Sequence, residues 1–136
     1  MQIGELAKRS GCQAETVRYY ERLGLLPEPE RTAGNYRVYN EEHLERLRFI
    51  RNCRAIDMTL DDVHRLLYFR DRPDLACLEI NELLDTHIKR LDEQVGELLR
   101  LQTYLRELRT CCDGPRTAGD CGILAALDST AGQSRP

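Results

Sequence analysis

A mainly α-helical fold is predicted by three features of this 136-residue sequence. Two short apolar-periodic segments near the start each end in glycine. A stretch rich in proline and strand-forming residues follows at about position 30. A proline-free run over 78–110 then carries one long apolar stripe. Together they describe a winged helix-turn-helix (1–70), a hinge (71–77), a long dimerisation helix forming an antiparallel coiled coil (78–110), a loop with a short helix (111–127) and a disordered tail (128–136).

In order along the chain, IGELAKRS (3–10) sets Ile3, Leu6 and Ala7 at helical spacing, and Gly11 stops the helix. AETVRYYERL (14–23) is a second helix, stopped by Gly24. Two short helices about a glycine turn form a helix-turn-helix candidate, a signal that is weak by itself. Pro27 and Pro29 break helix, Gly34-Asn35 supplies a turn, and Tyr36, Val38 and Tyr39 favour strand, which together predict a small β-wing. Residues 41–56 return to helix, with Leu44, Leu47, Ile50 and Cys53 on one face. Thr59 is placed to cap the next helix, Asp61 and Asp62 suit its positive end, and it runs to about Phe69.

Asp71-Arg72-Pro73-Asp74 breaks the chain before the long helix. There Leu84, Ile88, Leu91, Val95 and Leu98 step by 4, 3, 4 and 3, the spacing of a coiled-coil seam, and Leu101, Leu105 and Leu108 continue it in shifted phase. A single helix cannot bury such a stripe alone, and its own copy is the simplest partner. From Cys111 the chain is a loop rich in Gly, Pro and Asp, then an apolar turn over 123–127; from Ser129 it is polar.

Composition bounds the function. A hydrophobic content of 41% supports a core. No apolar run nears the roughly 18 residues of a membrane span, and the start lacks a signal-peptide pattern, so a cytoplasmic protein with no membrane partner is expected. Net charge is −3, but it is uneven: residues 1–58 hold 10 basic and 9 acidic side chains, and residues 59–136 hold 10 and 14. The first half clusters Arg18, Arg22, Arg31, Arg37, Arg46, Arg48, Arg51 and Arg54, and such a local basic face binds phosphate even on an acidic chain. Six cysteines in a reducing compartment point to metal or redox chemistry rather than disulfides.

Cys77 lies just before the long helix and Cys112 just after it. The 35 positions between them span roughly 50 Å of helix, so the two thiols of one chain cannot share an ion. In an antiparallel pair of helices, Cys77 of one chain lies near Cys112 of the other. Cys121 follows nine residues later, and Gly114, Pro115 and Gly119 let the loop fold back. Three thiolates without a histidine in the loop suit a soft ion better than Zn(II). Asp113, Asp120 or water could complete the shell. Cys53 reads as a small buried hydrophobe, Cys12 as that or a minor participant, and Cys111 as a competitor or accessory ligand. His87 reads as a solvated or interface residue, with an accessory metal role the minority reading; His43 and His64 read as structural.

IGELAKRSG, ETVRYYERLGLLPEPER, GNYRVYNEEHLERLRFIRNCR and IDMTLDDVHRLL together resemble the MerR family of metal-responsive regulators, over the chain to about Leu127. RNCR, IDMTL and Cys12 resemble its cadmium and lead branch. The cysteine spacing of 35 and 9 is also similar to that of the mercury sensor. The resemblance implies Thr16, Arg18 and Tyr19 on a recognition helix in the major groove, Tyr36 and Arg37 on the wing, and Arg31 and Arg54 at the DNA backbone. Arg18 is the candidate for direct readout; Tyr20 could equally be core.

The resemblance further implies a homodimer on promoter double-stranded DNA, an effector that is Pb(II) or Cd(II) (Hg(II) or Zn(II) possible), and no organic cofactor. Metal would bias a two-state equilibrium that distorts the promoter so that RNA polymerase engages it. The alternatives are an Hg(II) sensor and a thiol-based redox regulator. An enzyme is not expected, since no base neighbours Cys112 in sequence. With a single histidine on the long helix and none in the tail, a second histidine-rich metal site is not expected either.

Overall fold

The computed structural model describes residues 1–114 and 117–129. Its elements run α1 (Ile3–Ser10), α2 (Ala14–Arg22), β1 (Glu30–Arg31), β2 (Arg37–Val38), α3 (Glu41–Ala55), α4 (Leu60–Arg70), α5 (Leu78–Thr110), a 3-10 turn (Ala118–Asp120) and α6 (Gly122–Asp128). The chain divides into two compact units, 1–84 and 85–136, with the division inside α5.

Local chemistry sets the ends of these helices. Gly11 follows α1 at φ 75° and Gly24 follows α2 at φ 77°, left-handed conformations that glycine adopts without a Cβ penalty. At α3 the Asn40 side chain accepts from the His43 amide while the His43 ring receives the Asn40 amide, a capping box with histidine in the reciprocal position. At α4, Thr59 and Asp62 make the same exchange.

In the wing, Glu30 pairs with Val38 and Arg31 with Arg37, antiparallel. The left-handed residue of its turn is Asn35, at φ 66°, rather than Gly34. The Asn35 amide donates to the Thr32 carbonyl at 2.8 Å, which closes the turn.

The first unit has a continuous core. Leu6, Val17, Leu25, Leu44, Leu47, Ile50 and Val63 are fully buried, with Tyr39 and Met58 nearly so. Cys53 is buried among them, and its thiol is pushed up by desolvation, as expected of a small hydrophobe. Tyr20 also lies in this core, which settles the choice left open for it. In the second unit the seam is bare on the single chain: Ile88, Val95, Leu98 and Leu105 are exposed, and Leu108 is the buried hydrophobic among its described residues.

One histidine expectation is corrected. His87 is buried rather than solvated, at 4% exposure, and Arg90 Nη2 lies 3.0 Å from its Nδ1. The tail placed at 128–136 falls outside the described residues from Thr130 on; Asp128 is the last residue of α6.

Candidate nucleic-acid interface and metal centre

The helical period of α2 divides its side chains. Val17 and Tyr20 turn into the core, while Arg18 and Tyr19 face out and Thr16 is half-buried. Arg18 then meets the wing: Arg18, Arg31, Tyr36 and Arg37 line one open groove with Gln2, Ile3 and Asn35. Four of the candidate DNA-contacting residues, drawn from helix and wing, therefore share one surface.

Further contacts fix that surface. Glu21 of α2 accepts the hydroxyl of buried Tyr39 and pairs with Arg37 at 3.4 Å. Desolvation first, and then the Glu21 carboxylate, push the Tyr39 hydroxyl up to about 12, so it stays a donor. Arg31 Nη1 donates to the Asn35 carbonyl at 3.3 Å, which ties it to the turn. Arg54 is held by the Met58 carbonyl at 2.7 Å and interacts with Tyr20, whose hydroxyl is raised by burial and partly lowered by that guanidinium. Sequence reasoning missed Glu21. The only signal was a carboxylate one residue beyond a core tyrosine, on a helix otherwise suited to phosphate.

The cysteines fall into two groups. Cys77 is exposed immediately before α5. Cys112 and Cys121 follow it, both half-buried, and Cys111, the neighbour of Cys112, lies directly against Gly122, the neighbour of Cys121. Cys121 stands at the N-cap position of α6 without a side-chain cap bond, and the nearby Leu124 and Ile123 amides lower its thiol below the ordinary cysteine range, opposed by desolvation and helped least by Cys112. Cys112 Sγ lies 3.6 Å from the Gly114 carbonyl, and Arg109 Nη1 donates to the Cys112 carbonyl at 2.8 Å. Cys111 Sγ instead reaches back to the Glu107 carbonyl at 3.6 Å.

Among the described residues, one chain brings no three of its His, Cys, Asp or Glu side chains into a cluster able to hold a metal. What it presents is two cysteines, Cys112 and Cys121, at the two ends of one short loop. Two such thiols, one biased toward thiolate, suit a soft cation. His87 fits such an ion poorly, because the permanently charged Arg90 guanidinium stands at its Nδ1. No helix among the described residues is long and apolar enough to cross a membrane.

Comparison with known proteins places these features. The profile of the MerR HTH family regulatory protein matches residues 1–69, and that of the MerR DNA-binding region matches residues 44–108. The chain is 50% identical over 109 residues to the HTH-type transcriptional regulator ZntR homolog of Haemophilus influenzae, covering 80% of this chain and 81% of that one. The transcription regulator PbrR691 of Ralstonia metallidurans CH34, solved in complex with lead(II), is 54% identical, with a TM-score of 0.86 over 93% of this chain and 98% of its own. The dual-function regulator MerR of Bacillus megaterium MB1, solved with a mercury(II) ion, is 32% identical, with a TM-score of 0.70 over 95% and 100%.

Proposed function

The chain belongs to the MerR family of helix-turn-helix regulatory proteins, and on that premise we propose that it is a dimeric sensor of a soft heavy-metal ion, with Pb(II) the first candidate and Cd(II) next. The observation that carries this reading is a candidate half-site: Cys112 and Cys121, drawn near each other after α5 by the contact of Gly122 with Cys111, with Cys77 just before that helix. The 33 residues of α5 span roughly 50 Å, so Cys77 of the same chain cannot complete the half-site. A second copy, packed antiparallel along the exposed seam, supplies it. The likeness to a lead(II)-bound regulator at 54% identity supports lead, and the mercury(II)-bound relative at 32% keeps Hg(II) as the second reading.

Each residue set then has a task. Thiolates of Cys112, Cys121 and the partner's Cys77 would hold the ion, whose compact positive charge would favour their deprotonated form. Cys111 lies outside this set, with its thiol turned back along α5. Arg18, Arg31, Tyr36 and Arg37 present the groove shared by helix and wing to promoter DNA, and Thr16, Tyr19 and Arg54 are further candidate contacts. Phosphate contacts set position and salt dependence, and Arg18 reads base edges. Occupancy of the split site would favour one of two dimer conformations, and the resulting DNA distortion would let RNA polymerase engage the promoter.

The test is a metal titration of the reduced dimer, following thiolate-to-metal absorption with Pb(II), Cd(II), Hg(II) and Zn(II) in competition. Cys77→Ser, Cys112→Ser and Cys121→Ser are each expected to abolish the metal response and spare operator binding. An equimolar heterodimer of Cys77→Ser with Cys112→Ser should recover one site of two. A normal response from the Cys77→Ser homodimer would sink the cross-chain site.

A further inference from the structure

Among its described residues, the loop that carries Cys112 and Cys121 closes where Gly122 meets Cys111. Gly122, the first residue of α6, lies directly against the backbone of Cys111. A Cβ built at Gly122 would run into the Cys111 carbonyl oxygen, and would sit 3.1 Å from the carbonyl carbon and 3.4 Å from the Cys111 Cβ. The obstacle is backbone, not the end of a long side chain, and it cannot swing away. The other described glycines of this segment are free of it: Gly114 has nothing within 4 Å, and Gly119 meets only the Thr117 hydroxyl at 3.9 Å.

Cys111 is peptide-bonded to Cys112, and Gly122 to Cys121. Their contact therefore holds the backbones of the two cysteines close together. We infer that Gly122 is a positioning residue for the metal site: the absence of a side chain lets α6 seat on the end of α5, and that seating brings Cys121 to Cys112. The inference rests on the metal-sensing reading only for its purpose; the clasp is a property of the loop. Any larger residue must lift the start of α6 off Cys111 by on the order of 1 Å. Conformation gives no other reason for glycine here, since Gly122 is not among the positive-φ residues and alanine is the better helix former. Alanine would thus favour α6 locally and still open the loop.

The test compares Gly122→Ala with Gly119→Ala and the parent, all in a Cys111→Ser background that keeps the backbone contact and removes the competing thiol. The first readout needs no metal. Diamide takes two hydrogens from the Cys112 and Cys121 thiols as their disulfide forms, and peptide mass spectrometry follows the linked product. We expect Gly122→Ala to slow this oxidation at least about tenfold and to weaken Pb(II) binding about 10–100-fold, the range seen when groups supporting a metal's ligands are lost. Gly119→Ala should match the parent in both, and all three should bind operator DNA alike, which shows the fold intact. A parent-like oxidation rate in Gly122→Ala overturns the clasp. A slowed rate with no Pb(II) absorption even in the parent upholds the clasp and overturns the metal reading instead.

Discussion

The two units of this chain satisfy their apolar residues differently. In residues 1–84, Leu6, Val17, Leu44, Leu47 and Ile50 are closed off from solvent by neighbours in the same chain. In residues 85–136 the seam is open: Val95 is 54% exposed and Leu98 is 64% exposed. A unit that buries its own core can hold a DNA-reading surface without help. A unit that leaves its stripe bare makes its structure conditional on a second copy, and any site at the ends of that stripe inherits the condition.

The sharpest way to break this contrast is a matched pair of substitutions. Leu47→Ala removes a fully buried side chain and should destabilise the first unit by about 2–5 kcal/mol. Leu98→Asp adds a charge to the proposed seam and should convert dimer to monomer in sedimentation velocity, while denaturation of the first unit keeps the parent midpoint. A stable Leu98→Asp dimer would remove the seam from the account. A negligible effect of Leu47→Ala would mean that the first unit is not held by the core described.

Arg18→Ala sharpens the same contrast on the functional side. It lies in the helix–wing groove and not in the core, so operator affinity should fall by about 1–3 kcal/mol at fixed salt, with or without metal. Metal affinity of the free dimer should stay unchanged. Equal operator affinity for parent and variant, measured by fluorescence anisotropy, would sink the assignment of this face to DNA.

Legibility in the sequence follows the same division. Helix ends were readable where one residue carries the signal: Gly11, Gly24 and Thr59 stand where their chemistry requires, and the long helix spans 78–110 as its spacing predicts. The cap at Asn40 was missed because its partner is His43 rather than the usual glutamate or glutamine. Contacts remote in sequence left no periodic trace. Glu21 meets Tyr39 across 18 positions, and Gly122 meets Cys111 across a loop, so spacing could not reveal either. Burial of His87 was equally hidden, because the seam pattern assigns that position no face. The cysteine trio was conspicuous because its residue type is rare, yet only the fold shows the Cys111 thiol turned back to Glu107 and Gly122 seated against the Cys111 backbone.

The smallest expected effect concerns the link between α3 and the residues that follow α4. Arg46, largely buried, donates through Nε to the Leu25 carbonyl at 2.7 Å and through Nη1 to Asp71 at 2.7 Å. The hydrogen bond from Arg46 holds the Asp71 carboxyl below its ordinary range, with further help from the charges of Arg46, Arg70 and Arg72 and some opposition from desolvation. A carboxyl depressed on folding adds stability above its unfolded pKa of about 3.9, and that stability is lost as pH falls through the lower folded value. Asp71 is 41% exposed, so water screens the pair and its contribution at neutral pH is about 0.5 kcal/mol or less. Asp71→Asn should therefore be slightly less stable than the parent at pH 7 in low salt, and the gap should close below about pH 4 and shrink with added salt. A gap that persisted unchanged at pH 3 would mean that the asparagine disturbs packing rather than charge. Arg46 would then act on the first unit through the Leu25 carbonyl alone.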